Sequence, residues 1–481
     1  MKLVFYPLSF IILYFYSITF EPTIIDDAFI QFQYAKNLAE NGVWGFYADQ
    51  TANTATSPLN VALLTLFTLV FRSTVFGSVW LTTSLLFCML LILLHLSAKL
   101  FNERYFGIFL FMAIMANPLL LSCFGMEVLL YAVLWIASVA LFIHARWRTL
   151  AVSLAMLTLA RPDGFLLFVI FFIALLVKVK SLKEHFLFVA IYLLLLLPWH
   201  LYSWLNLGSF VPDTLLIKTS QRSWLENISF HNGLAKLYLI RFPMETVLSF
   251  LLIPFLFFAG RLKSAGRSVS LITLSYGALH YAAYSVMKVP PYHWYYAHLV
   301  LAILVVASLG ATFLAVRYTR ARLLFLLVPL LPLVILMIKN GMHWKEAPIH
   351  TNWGTHYQYR DAGKWIQRNT DSQSTFIMGG EIGTLAYYSD RRLLNTFSDP
   401  WVLTRRLNRD IEGKNTLQQQ IFNLNYKWRK EAKRYRGSRY IIEHVLHPHE
   451  QRTARTIIHS WETSTKWIQH GRLYLRRTRQ P

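Results

Sequence analysis

The sequence is poor in charged residues and in cysteine. Only 15% of its 481 residues are charged, against about 25% in typical soluble domains, and 55% are hydrophobic. This composition excludes an ordinary soluble enzyme and a disordered protein, and it indicates a polytopic membrane protein. The two cysteines, Cys88 and Cys123, both lie in apolar stretches. A disulfide framework and a cysteine-based zinc site are therefore excluded.

Acidic residues are also scarce. The chain has 24 Asp and Glu against 47 Lys and Arg, which gives a formal net charge of +23. Basic cytoplasmic loops and attraction to anionic lipid head groups explain such an excess before nucleic-acid binding needs to be considered. Glycine-rich phosphate loops of the Walker or Rossmann type are missing from the sequence, so it gives no support for nucleotide hydrolysis or a nucleotide-sugar fold.

The distribution of charge predicts two domains. Residues 1–338 contain the apolar runs and are predicted to form a transmembrane module, with a first outer loop at 21–57. Residues 339–481 carry 25 basic and 12 acidic side chains, a net of +13, and are long enough for one independent core. We expect a soluble α/β domain there, with helices at 360–368 and from Glu381, and strands at 375–378 and 393–397.

The apolar runs predict about 11–13 transmembrane helices. The first run, at 3–20, follows Lys2 and lacks a small-residue cleavage site, so we expect an uncleaved helix with a cytoplasmic N-terminus. Basic connectors then place the loop at 21–57 and the C-terminal domain on the opposite, outer side. Two short apolar runs flank Arg161-Pro162-Asp163-Gly164 and are predicted to be half-helices that meet there.

The first outer loop contains the most informative residues. Asp26 stands at the expected N-cap of a helix and Asp27 follows it, while Phe29, Phe32 and Ala35 recur at a three-residue spacing. This pattern predicts an amphipathic helix that lies along the membrane surface. The acidic pair has two interpretations. It favours the helix dipole as a capping pair, or it supplies a base whose neighbour raises its pKa or holds a cation.

Several motifs then occur in order along the chain. They are Asp26-Asp27-Ala28-Phe29-Ile30, Thr56-Ser57-Pro58-Leu59, Phe124-Gly125-Met126-Glu127, Leu159-Ala160-Arg161-Pro162-Asp163-Gly164, Val211-Pro212-Asp213-Thr214 with Lys218, Tyr292-His293-Trp294-Tyr295-Tyr296 and Glu381-Ile382-Gly383-Thr384-Leu385-Ala386-Tyr387-Tyr388. Together they resemble the membrane-embedded glycosyltransferases of the GT-C fold, which take sugars from polyprenyl-phosphate donors. The closest likeness is to the arabinofuranosyltransferase branch, with its cell-wall and pilin-modifying enzymes. Beyond it lie the aminoarabinose transferases of lipid A and the protein O-mannosyltransferases.

The resemblance implies roles for particular residues. Asp26 would be the catalytic base, with Asp27 as a supporting acid or cation ligand, and the two carboxylates are expected to titrate as a coupled pair. The residues expected to bind the donor phosphate or substrate are Arg161, Lys218, Lys288, His293, Tyr292 and Glu127. The plainer alternatives are an interfacial arginine for Arg161, a surface lysine for Lys218, an aromatic belt at the membrane boundary for Tyr292 and His293, and a buried acid without a catalytic part for Glu127. Whether the protein binds a divalent cation stays open; if it does, Asp26 and Asp27 would hold it.

The resemblance also implies a function, a location and partners. The chain would transfer a sugar, arabinofuranose by its nearest likeness, to a pilin-like protein or a cell-envelope glycan, on the periplasmic face of a bacterial inner membrane. Membrane lipids are expected partners and nucleic acid is not, since the basic and aromatic run at 427–439 lies on the outer side and fits anionic lipid, an acidic glycan or a solvated helix face better. The alternatives are a lipid A or O-mannosyl type transferase, a transporter, and a non-catalytic envelope or motility protein.

Overall fold

The computed structural model describes residues 2–214, 217–218, 227–262, 264–395, 399–412, 415–429, 440–445 and 457–477. Contacts divide the chain into two compact units. The first unit comprises Met1–Glu21, Val79–Leu197 and Trp224–Ile349. The second unit comprises Pro22–Ser78, Pro198–Ser223 and His350–Pro481. The second unit thus contains both the predicted first outer loop and the C-terminal segment, which the sequence assigns to different domains.

Most of the described chain is helical. In chain order the α-helices are α1 Lys2–Phe20, α2 Asp26–Asn41, α3 Pro58–Phe71, α4 Thr74–Phe101, α5 Tyr105–Ala116, α6 Pro118–Leu121, α7 Val128–Ile143, α8 Trp147–Ala160, α9 Gly164–Lys178, α10 Leu182–Tyr202, α11 Phe230–Gly233, α12 Leu239–Arg241, α13 Pro243–Ser249, α14 Leu256–Ala259, α15 Ser264–Val286, α16 His293–Arg317, α17 Arg322–Leu327, α18 Leu331–Asn340, α19 His356–Asn369, α20 Gly383–Ser389, α21 Pro400–Glu412 and α22 Thr416–Asn425. Short 3-10 and π turns extend or join several of them.

The helices have the lengths and composition expected of a membrane protein. Among the described residues, five helical segments are long and apolar enough to cross a membrane: Val4–Thr23, Thr74–Phe101, Leu182–Leu207, His293–Arg317 and Thr319–Asn340. Six shorter apolar helices accompany them. The predicted break is present, because α8 ends at Ala160 and α9 begins at Gly164. The prediction of a polytopic helical membrane protein with a C-terminal α/β region is confirmed.

Helix α16 forms the centre of the first unit. Nearly every residue from His293 to Ala315 is buried, and the helix packs against α5, α14 and α15. A helix that is apolar on all sides is stable only where other helices or lipid surround it. Its burial therefore identifies α16 as the helix around which the rest of the first unit assembles.

Helix α2 in the second unit matches the predicted amphipathic helix and ends at Gly42, whose φ of +65° gives a left-handed C-cap. Its apolar side, however, is covered by protein. Phe29 is fully buried and its ring lies 4.9 Å from that of His356 and 5.5 Å from that of Tyr387. The apolar spacing predicts a membrane-facing side, and the structure differs because sequence periodicity does not distinguish lipid from a protein partner.

The second unit also contains a mixed five-stranded sheet. Its strands are β1 Thr375–Met378, β2 Arg392–Asn395, β3 Tyr440–Val445, β4 Ile457–Thr463 and β5 Gly471–Arg477, in the order β2-β1-β3-β5-β4. Strands β2 and β3 run parallel to β1, whereas β5 runs antiparallel to β3 and β4. Strand β1 has the predicted bounds. Residues 396–397 of the second predicted strand and 430–439 of the basic run lie outside the described residues.

Candidate functional site

The carboxylate of Asp26 is held by the backbone of a neighbouring helix in the second unit. Its Oδ2 accepts the N–H of Gly383 at 2.9 Å, and its Oδ1 accepts the N–H of Thr384 at 2.7 Å. The Asp26 N–H donates to Oδ1 of Asn352 at 3.1 Å. Asp26 is therefore not the N-cap of α2, a position that Ile25 occupies. Its side chain instead caps the first turn of α20, where free N–H groups favour a negative charge.

Close approach of α2 and α20 requires a glycine at position 383. A Cβ atom there would lie 2.2 Å from the carbonyl oxygen of Asp26 and 3.0 Å from the nitrogen of Ile30. Any larger residue would push the two backbones apart and lengthen the hydrogen bonds to the Asp26 carboxylate. The Glu-Ile-Gly-Thr motif at 381–384 thus positions the first acid of the pair.

A second acid, Glu381, lies in the same part of the second unit. Its two carboxyl oxygens each accept the N–H of Trp353 at 2.9 Å, and the hydroxyl of Tyr359 lies 2.5 Å from Oε2. Burial raises the pKa of Glu381 to about 8, and the negative charge of Asp26 adds to the rise. Glu381 is therefore protonated at neutral pH, which spares this site a further negative charge.

The pKa of Asp26 lies between those of an ordinary aspartate and Glu381. Burial raises it to about 6, the Thr384 N–H opposes the rise, and the charge of Asp27 adds to it. Asp26 is only 4% exposed, whereas Asp27 is half-buried. A carboxylate with a pKa close to neutrality is well suited to accept a proton from a hydroxyl group, because it is ionised at neutral pH and still basic.

Lys218, also in the second unit, is half-buried. It comes shortly after Asp213 in the chain, which forms a buried ion pair with Arg429. Five residues before it, Asp213 accepts Nη1 of Arg429 at 3.0 Å and Oγ of Ser209 at 3.2 Å. The Val-Pro-Asp-Thr motif at 211–214 thus anchors this segment to the C-terminal part of the second unit. The acid of that motif is already matched by a cation.

Arg161 is the centre of a separate buried network in the first unit. It lies at the break between α8 and α9, with Nη1 2.6 Å from Oε1 of Glu127 and Nε 3.2 Å from both carboxylate oxygens of Asp163. Its Nη2 donates to the hydroxyl of Tyr284 at 3.3 Å. Two carboxylates therefore surround one guanidinium, and these contacts use three of its five N–H groups.

Asp163 also faces two histidines. Nε2 of His280 and Nε2 of His298 lie 3.2 and 3.5 Å from its Oδ2, and the two rings stack at 4.2 Å. Among the described residues this trio is the group of His, Cys, Asp and Glu side chains whose donor atoms lie close enough to hold a metal ion. Tetrahedral zinc takes such ligands, with one position left for water. Both acids already have donors on each oxygen, from the Gly383 and Thr384 N–H groups at Asp26 and from Nε of Arg161 at Asp163.

The remaining predicted residues lie at the start of α16 and just before it. Lys288 is exposed and has a left-handed φ of +50°. Tyr292 is half-buried and its ring stacks on that of Trp294 at 4.5 Å. His293 is buried, with Nε2 3.1 Å from the carbonyl oxygen of Ser122. The contacts of Tyr292 and His293 anchor the beginning of α16. Of the three residues, Lys288 is the exposed one and it carries a positive charge.

Solved structures share the architecture of this chain. The crystal structure of ArnT from Cupriavidus metallidurans bound to undecaprenyl phosphate superposes with a TM-score of 0.61, at 12% identity, over 98% of each chain. The Archaeoglobus fulgidus oligosaccharyltransferase in the apo form superposes with a TM-score of 0.52, at 12% identity, over 91% of this chain and 69% of that one. No protein-family model and no curated protein matches the sequence.

The chain has the GT-C fold. The mycobacterial arabinofuranosyltransferase AftD is a more distant neighbour, with a TM-score of 0.47 over 29% of its own chain, and so weak a likeness gives no indication of the donor sugar. The GT-C architecture implied by the motif resemblance is thus confirmed across nearly the whole chain. Because the sequence identity is only 12%, the likeness establishes the fold alone. Any reaction has to be inferred from the residues of this chain.

The surroundings of Asp26 and of Arg161 contain residues for which the sequence predicts no role. The motif at 381–388 contains Glu381 but predicts no role for it, and the sequence motifs do not include His280 or His298. A signal for part of it exists in the sequence, since Tyr276, His280 and Tyr284 recur every four residues on α15 and so share one face of that helix. Three polar aromatic residues on one face of a largely apolar helix indicate a buried polar partner, here Asp163.

Proposed function

We propose that this GT-C protein is a glycosyltransferase that moves a sugar from a polyprenyl-phosphate donor to an acceptor hydroxyl. The observation that carries the proposal is its superposition, over 98% of each chain, on a structure of ArnT bound to undecaprenyl phosphate. The second support is the acid pair at the start of α2, whose first member has the pKa and the fixed orientation that a general base needs.

Asp26 takes the acceptor proton in this proposal. The acceptor oxygen then forms a bond to the anomeric carbon while the bond from that carbon to the phosphate oxygen breaks, and the lipid phosphate leaves with the bonding electrons. Each Asp26 oxygen accepts one N–H and has a second lone pair for the incoming proton. Asp27 supports the base by raising its pKa, and one base with one leaving phosphate predicts inversion at the anomeric carbon.

The leaving phosphate needs positive charge near it. Lys218 is the proposed cation in the second unit. Arg161, Lys288 and His293, with Tyr292 and Glu127, are proposed donor contacts in the first unit. Arg161 is the strongest of these on chemical grounds, because a guanidinium binds phosphate oxygens through paired N–H groups and two of its five lie outside the contacts to Glu127, Asp163 and Tyr284.

Arabinofuranose is the proposed donor sugar, on the strength of the motif resemblance. The proposed acceptor is a pilin-like protein or an envelope glycan on the periplasmic face of the inner membrane. The test is a panel of radiolabelled polyprenyl-phosphate donors carrying arabinose, aminoarabinose or mannose, each incubated with the purified full-length protein in lipid and with envelope fractions. Transfer from arabinose alone is the expected result. Transfer from another donor would reject the sugar, and transfer from none with the protein folded would reject the enzyme.

A further inference from the structure

Helix α22 in the second unit has two apolar sides. On one side Phe422 and Tyr426 pack against the buried cluster of Ile217, Leu403 and Leu407. On the other side the apolar residues are uncovered. Leu417 is 67% exposed, Ile421 58%, Leu424 59% and Trp428, just beyond the helix, 47%.

The exposed apolar residues form one continuous stripe. Positions 417, 421 and 424 are separated by four and three residues, which places them on a single face of α22, and Trp428 follows in the turn after the helix. Phe422 and Tyr426 lie on the opposite face. Exposed Gln418 and Gln420 flank the stripe, whereas exposed Asn423 lies on a different side of the helix. A stripe of this kind in a water-exposed segment marks a contact surface, since scattered exposed apolar residues would not align.

The contacts of α22 place it beside the end of a membrane span. The indole Nε1 of Trp204 donates to the carbonyl oxygen of Leu424 at 2.9 Å. Oδ1 of Asn425 accepts the N–H groups of Phe210 and Val211, each at 3.0 Å. Trp204 belongs to Leu182–Leu207, a segment long and apolar enough to cross a membrane. Helix α22 is therefore hydrogen-bonded to the last turn of that segment and to the residues that follow it.

The exposed apolar surface continues across these contacts. Leu205 is 50% exposed, Phe210 40% and Val211 43%. Next to the stripe, Lys427 is exposed and its Nζ lies 5.1 Å from the centre of the Trp428 ring. A tryptophan beside a lysine at the edge of an apolar surface suits the head-group region, where an indole and a cation both find polar partners above the acyl chains.

We propose that α22 is an interfacial helix whose outer stripe, Leu417, Ile421, Leu424 and Trp428, inserts into the head-group boundary of the bilayer. The occupant of the stripe is membrane lipid. The C-terminal part of the second unit is then fixed to the membrane by α22 in addition to its chain connection. This inference does not depend on the proposed sugar transfer, since it rests on the exposed stripe and on the position of α22 at the end of a span.

The test is a depth measurement on single nitroxide labels. Cys88 is exposed and is replaced by alanine, whereas Cys123 is buried and remains. Ile421→Cys carries the label on the stripe, and the matched control Asn423→Cys carries it on the same helix away from the stripe. The full-length protein is reconstituted into phosphatidylethanolamine and phosphatidylglycerol vesicles, and relaxation by oxygen, which concentrates in lipid, is compared with relaxation by a water-soluble nickel complex.

The expected result is a ratio of oxygen to nickel accessibility several-fold higher at position 421 than at position 423. Equal, water-like ratios at both positions would overturn the proposal. So would protection of position 421 from both reagents together with spin coupling between labels, which would show a second copy of the chain on the stripe. Far-ultraviolet circular dichroism of both labelled variants confirms that the helices are intact before either outcome is interpreted.

Discussion

Replacing Glu381 with glutamine is predicted to remove a pH-dependent cost to stability in the second unit. Burial raises the pKa of the folded Glu381 carboxyl from the ordinary 4.5 to about 8. Between these two values the unfolded chain has released the proton that the folded chain keeps. The stability contribution of Glu381 is thus fully present below pH 4.5 and is lost progressively as the pH rises towards 8.

The size of this effect follows from the two pKa values. The difference between a pKa of 4.5 and one of about 8 corresponds to at most about 5 kcal/mol. Because the Glu381 side chain is half-buried, water screens part of that cost, and a change of about 2 kcal/mol is the expected magnitude. Glutamine has the shape of the protonated acid and keeps one oxygen that can accept both the Trp353 N–H and the Tyr359 hydroxyl.

Thermal unfolding of the full-length protein in lipid, followed by intrinsic tryptophan fluorescence between pH 5 and 9, measures the effect. The Tm of Glu381→Gln relative to the wild type should rise steadily from pH 5 to pH 8 and then stay level. Asp361→Asn, which changes an exposed acid of the same unit, should show no such trend. A difference in Tm between Glu381→Gln and the wild type that does not vary with pH would refute the buried-acid explanation.

Three further predictions concern the contacts around Asp26 in the second unit and around Arg161 in the first. Gly383→Ala should lower the Tm and sugar transfer together, because its Cβ would meet the Asp26 carbonyl oxygen at 2.2 Å, whereas Gly260→Ala, with nothing within 4 Å, should change neither. Asp27→Asn should move the acid limb of the rate profile to lower pH, since the Asp27 charge raises the pKa of Asp26; complete loss of transfer in the folded variant would instead make Asp27 the base. Arg161→Gln should destabilise the first unit by about 3–5 kcal/mol in denaturant unfolding, because Glu127 and Asp163 lose a buried cation, and an unchanged midpoint would contradict the ion-pair network.

The sequence predicted the elements whose signals are local. The helix that begins at Asp26, the break before Gly164 and the strand at 375–378 all follow from periodicity, capping residues and hydrophobic runs, and the structure has each of them. Strands β3 to β5 escaped prediction, since their residues are polar and basic as often as apolar and they are stabilised by pairing between distant segments.

The site was predictable in part for the same reason. The acid pair at 26–27 is adjacent in sequence and stood out, and Arg161 stood out as a cation at a helix break. What Asp26 touches could not be deduced, because its partners Gly383 and Thr384 are more than 350 residues away. The same holds for Asp163, whose histidine partners come from two later helices. Long-range partners leave no periodic signal in a single sequence.

The central claim is most directly tested by sugar transfer from a radiolabelled polyprenyl-phosphate donor by the wild type, Asp26→Asn and the surface control Asp361→Asn. Because an asparagine amide cannot accept both N–H groups of α20, the Tm of each variant is measured beside its rate. The account predicts that the wild type and the control transfer sugar at equal rates, and that Asp26→Asn loses at least a hundredfold, about the smallest effect of removing a general base. Transfer by folded Asp26→Asn at the wild-type rate would contradict it.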